Sequence, residues 1–130
     1  MKNPFKPGDI QQFSRVVEAK HFASFDSGVV HPAYSTFDLV RDAEWACRQF
    51  VLKMREEDEE GIGAHVEVEH LSPALEGSEV KIIATLRKVE GNTIFCDFEA
   101  FVGERQVAKG AQTQKILKRT RIQKLFASLR

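Results

Sequence analysis

The spacing of apolar residues changes twice along the chain. Residues 12–18 and 24–30 form two short alternating runs, and Val29-Val30-His31-Pro32 breaks the pattern. From Ser35 onward the spacing becomes three and four: Leu39, Ala43, Cys47, Phe50 and Met54 fall on one face of an α-helix. Ser35, with Asp38 three residues on, resembles a capping box with a shorter acid, and Asp38 suits the positive end of the helix dipole. At the other end Glu56, Glu57, Asp58, Glu59 and Glu60 would crowd the negative end. The helix is therefore expected to stop near Arg55, with the acids in a solvated loop before a Gly61-Ile62-Gly63 turn.

A period of two then returns. Residues 64–71, 79–88 and 93–102 read as strands, and 106–117 as a looser fourth. Glu90-Gly91-Asn92 and Gly103-Glu104 are short enough to close antiparallel hairpins. Residues 119–129 place Ile122, Leu125, Phe126 and Leu129 at helical spacing among basic side chains, the pattern of a short terminal helix. The order predicts an α+β domain, one long helix packed on one face of an antiparallel sheet. With 130 residues and no repeat, linker or low-complexity tract, residues 1–130 are expected to form a single domain.

Composition narrows the function. Lysine plus arginine equals aspartate plus glutamate at 19 each, so no overall field draws the chain to nucleic acid or an anionic membrane. No apolar stretch approaches bilayer length and the N-terminus lacks a signal-like core, which places the expected location in the cytoplasm. Cys47 and Cys96 sit in apolar periodic segments and read as small buried hydrophobes; nothing is spaced as a metal site, and no cofactor is expected. Nucleophile-elbow, phosphate-loop and zinc-helix motifs are all missing.

Three polar residues stand out. In 64–71, His70 shares the inward face with Ala64, Val66 and Val68, while His65, Glu67 and Glu69 face the other way. His70 is either a satisfied core histidine or a catalyst. Glu44 lies at the rim of the helical stripe beside Val40 and Val51, where it either faces a cleft or pairs with Arg48 one turn on. Thr36 is a first-turn residue on the stripe side. Trp45 and Leu52 project from the face away from the stripe and need a cover, either the N-terminal segment or a second copy.

Taken in order, Tyr34-Ser35-Thr36, Glu44-Trp45-Ala46-Cys47, Gly63-Ala64-His65-Val66-Glu67-Val68-Glu69-His70 and Gly77 resemble the fluoroacetyl-CoA thioesterase-like family of hotdog proteins over about residues 31–117. The joint spacing carries the likeness: eight positions from Thr36 to Glu44, twenty-six from Glu44 to His70, seven from Gly63 to His70. The resemblance implies a hotdog fold, a homodimer with acyl-CoA sites between subunits, and Thr36, Glu44 and His70 as the catalytic trio. Gly63 would offer a backbone donor to the developing oxyanion, and Ala64, Val30 and Tyr34 would line the substrate site. Lys115, Lys118, Arg119, Arg121 and Lys124 would meet CoA phosphates or form a solvated basic surface. The sequence departs from the family pattern twice. Gly110-Ala111-Gln112-Thr113-Gln114 replaces the family's Gly-Thr-His-Glu-Arg run, and Val30-His31 stands where the fluoroacetyl enzyme has an aromatic gate, so fluoroacetyl specificity is not implied. The expected activity is hydrolysis of a small or medium acyl-CoA thioester. The alternative is a non-catalytic hotdog module that binds acyl-CoA or acyl-carrier thioesters, with a hotdog dehydratase third.

Overall fold

In the computed structural model, which describes residues 1–130, Ser35 starts the helix as its spacing requires. Its hydroxyl oxygen accepts from the Asp38 backbone N–H at 3.1 Å and donates to the Asp38 carboxylate at 2.8 Å. Helix α1 (Thr36–Met54) follows and ends with Arg55 in an extended conformation. Leu39, Ala43, Ala46, Cys47, Phe50, Val51 and Met54 are fully buried along one side. Each large apolar side chain among them contributes roughly 1.5–3 kcal/mol of burial.

Seven strands accompany the helix: β1 (Ile10–Val16), β2 (Phe22–Phe25), β3 (Gly28–Tyr34), β4 (Glu59–His70), β5 (Glu79–Glu90), β6 (Thr93–Val102) and β7 (Arg105–Lys118). A second helix, α2 (Arg119–Ser128), closes the chain. Five strands form one antiparallel sheet in the order β1-β5-β6-β7-β4, and α1 packs against all five. Val80, Ile82, Ala84 and Leu86 on β5 and Ile94, Cys96, Phe98 and Ala100 on β6 alternate inward to meet the helix. One long helix wrapped by an antiparallel sheet is the hotdog arrangement.

Two expectations need correction. The run 24–30 is not one strand: a turn at Asp26-Ser27 divides it, and Gly28, with φ at 106°, starts the return strand of a separate β2–β3 hairpin. Nor do the last two acids and Gly61-Ile62-Gly63 form a loop and turn, since β4 already begins at Glu59. Those acids enter the strand because they are neutralised: Glu59 pairs with the Met1 amino group, and Glu60 meets Arg48, Arg55 and Arg119. Burial pushes the Glu60 carboxyl up, but these arginines together hold it below its ordinary range.

Gly61 and Gly63 let β4 run close beneath α1. A Cβ on Gly61 would lie 2.6 Å from Val51 Cγ1, and one on Gly63 would lie 2.8 Å from Glu44 Oε1. A bulge between Gly63 and His65 leaves Ala64 without a partner across β7. Beyond it Val66, Val68 and His70 face inward opposite Gln112, Gly110 and Ala108. The helix does not cover this whole stretch, so Val66 remains 44% exposed.

Candidate active site

The side chains singled out from sequence collect in two concavities on one chain. The first, about 520 Å³, is lined by Thr36 and His70 together with His31 and Tyr34. Thr36 starts α1 and His70 ends β4, so a helix start and a strand end bring them together across thirty-four residues. Thr36 Oγ1 and His70 Nδ1 lie 2.9 Å apart, and His70 Nε2 is buried without a hydrogen-bond partner. Burial lowers the His70 pKa from its ordinary 6.5, against a smaller upward pull from the Ser72 backbone. The imidazole therefore stays neutral further into acid than a solvated histidine.

The second concavity, about 360 Å³, is lined by Glu44, Gly63, Ala64, His65, Val66 and Gln112. Glu44 is half-buried, and its partner is Gln112, whose Nε2 donates to Glu44 Oε1 at 3.2 Å. The alternative pairing with Arg48 is not made, because Arg48 is engaged by Glu60 on β4. Thr36 and Glu44 are eight residues apart on one helix, a rise of roughly 12 Å, which explains why they open into different hollows.

The remaining sequence candidates divide. Gly63 and Ala64 lie in the Glu44 concavity, while Val30 is half exposed and points off the Thr36 concavity, where its neighbour His31 is found instead. Tyr34 lines that hollow but is buried, and its hydroxyl is committed to Asp42 at 2.5 Å. Asp42 also takes two hydrogen bonds from Arg15, at 3.0 and 3.1 Å, fixing β1 and β3 to α1 just below Thr36. Sequence reasoning missed Asp42, although an acid inside the apolar stripe between Leu39 and Ala46 is itself a signal of a buried partner. Gln112 and Gln114, which the sequence marks only as part of a departure from the family run, alternate inward on β7.

Among the basic residues, Lys118 pairs with Asp58 and Arg119 with Glu60; Lys115, Arg121 and Lys124 are exposed. Cys47 and Cys96 are both free and buried, and their mutual contact and burial push the Cys47 thiol up, away from the thiolate a nucleophile needs. No three histidine, cysteine or acidic side chains converge as a metal ion would require. No helix is long and apolar enough to cross a membrane.

The family model for the fluoroacetyl-CoA-specific thioesterase matches residues 17–120. Among solved structures, a Thermus thermophilus thioesterase superfamily member is 36% identical, with a TM-score of 0.92 over 97% of this chain and 93% of that one. A variant of the fluoroacetyl-CoA-specific thioesterase itself is 20% identical, with a TM-score of 0.89 over 99% of this chain and 100% of that one. A hot-dog-like protein from Thermanaerovibrio acidaminovorans is likewise 20% identical, with a TM-score of 0.87 and coverage of 95% and 92%. No curated protein matches the chain significantly.

Proposed function

Because the chain belongs to the fluoroacetyl-CoA-specific thioesterase family and is a thioester hydrolase, we propose that it cleaves small or medium acyl-CoA esters in a cleft completed by two copies of the chain. The observation that supports this is the separation of the half-sites: Thr36 with His70 at one place, Glu44 with Gly63 at another. Strand β4 is a sheet edge, paired only with β7, and residues 63–67 along it are exposed. A bare edge carrying the exposed Val66, with Trp45 on α1 also 43% exposed, is suited to self-pairing. A two-fold axis near Val66 and Glu67 sets Gly63 and Glu44 of each copy beside Thr36 and His70 of the other. Residues 1–130 then act as one domain, twice.

A thioester leaves as a thiolate whose conjugate acid has a pKa of about 8.5, so the departing group needs little acid help and the demand falls on attack. Glu44 either attacks the carbonyl, expelling the thiolate and leaving a mixed anhydride that a water then hydrolyses, or takes the proton of a water that attacks directly; by both routes the thioester and one water give a carboxylic acid and free CoA thiol. His70, neutral and tied to Thr36, positions the attacking group, and the Gly63-Ala64 backbone at the bulge faces the developing oxyanion. The fluoroacetyl enzyme has been solved with fluoroacetate and CoA together, which supports a CoA ester as substrate. Val30-His31 in place of an aromatic gate opens the acyl side to groups other than fluoroacetyl. A panel of acyl-CoA esters of graded chain length, read by free-thiol release, is expected to give turnover that peaks at a short or medium acyl chain. Binding of acyl-CoA with no thiol release on any ester would replace the enzyme by the binding module.

A further inference from the structure

Gln112 is 2% exposed and Gln114 is 3% exposed, both on the face of β7 turned to the helix, where polar side chains survive only with partners. They form a relay. Gln114 Nε2 donates to Gln112 Oε1 at 2.8 Å, and Gln112 Nε2 donates to Glu44 Oε1 at 3.2 Å. An ionised carboxylate only accepts, so an amide beside it must present its N–H end. Here the oxygen end of Gln112 is also claimed by Gln114, which holds its N–H end on Glu44. From the other side Gly63 approaches the same oxygen: a Cβ there would lie 2.8 Å from Glu44 Oε1, so a side chain at this position would push the carboxylate aside.

We propose that Gln112, oriented by Gln114, is the positioning residue of Glu44: it fixes Oε1 against Gly63 and leaves Oε2 as the oxygen presented to the thioester. This rests on the reading of Glu44 as the reacting carboxylate. The chemistry of the donor matters as well as its place. An amide neither gains nor loses a proton in the working range, so the clamp holds at constant strength, whereas the histidine found here in the family's run would titrate beside the carboxylate. Misplacing a reacting group by about 1 Å can cost on the order of 10²-fold in rate.

The test uses the full chain and the best acyl-CoA ester from the panel. Gln112→Met keeps length and volume but donates nothing, and kcat is expected to fall about 10- to 100-fold with KM little changed; the thermal midpoint drops as well, because Gln114 Nε2 loses its acceptor, so the kcat-against-KM split carries the test. Gln112→His, bulkier in shape but able to donate, is expected to recover most of the rate and to add a titration to the pH profile that the natural chain lacks. A purely structural role reverses that order in kcat, with Met leaving turnover intact despite its lower midpoint and His disruptive. Gln114→Leu removes only the orienting donor and is expected to give a smaller kcat loss at the same KM. In a Glu44→Gln background, Gln112→Met is expected to cost nothing more. Full kcat in Gln112→Met, or in Gln114→Leu should the former not fold, overturns the positioning role. Full turnover in Glu44→Gln alone overturns instead the reading on which it rests.

Discussion

Glu44→Gln is expected to lower thioester hydrolysis by about 10²- to 10⁴-fold, and further if the carboxylate is a covalent nucleophile, while acyl-CoA binding and the fold persist. The fold should persist because a glutamine at this place keeps an oxygen to accept from Gln112 Nε2, the one hydrogen bond Glu44 makes to a neighbouring strand. What is lost is only the ability to attack or to take a proton. Steady-state kinetics on the best ester, with binding followed separately, check both halves. Near-natural turnover would remove Glu44 from the chemistry.

His70→Ala is expected to fall by a comparable factor, and Thr36→Ala by less. On the proposed mechanism the difference follows from geometry: Thr36 is exposed and acts only through His70 Nδ1, so a water can stand in for its hydroxyl, whereas a water cannot replace the half-buried ring. The pH profile carries the same assignment. Burial lowers the His70 pKa below 6.5, so the neutral ring survives as pH falls past that value and is lost only below it. The acid limb of kcat/KM is therefore expected below about 6.5, the value of an unperturbed histidine. A limb at or above 6.5, or a Thr36→Ala loss as large as that of His70→Ala, contradicts these roles.

The long helix is legible in the sequence because its stripe, its Ser35 cap and its stop at Arg55 all agree, and each depends on neighbours within a turn or two. The hairpins β5–β6 and β6–β7 are legible for the same local reason, through Gly91 and Gly103. The start of β4 is not, since only distant arginines on α1 and α2, and the N-terminus, make Glu59 and Glu60 compatible with a strand. Thr36, Glu44 and His70 are legible as candidates through orientation and spacing, but their division between two hollows is not. It comes from the axial rise of α1 and from the bulge at Ala64, which exist only in three dimensions. Gln112 stood as a departure from a family pattern; its meaning came from Gln114 two residues on and from Gly63 on a strand paired to its own.

The division into half-sites makes the central claim testable by subunit mixing. Glu44→Gln and His70→Ala chains, carrying different tags and each inactive alone, are combined in equal amounts and allowed to exchange, and heterodimers are verified by co-purification. In a heterodimer the intact Glu44 comes from one copy and the intact His70 from the other, so one of the two clefts is complete. With half of all dimers mixed, recovery of about a quarter of the natural activity is expected. Heterodimers that form and remain as inactive as either parent would contradict a cleft shared between copies.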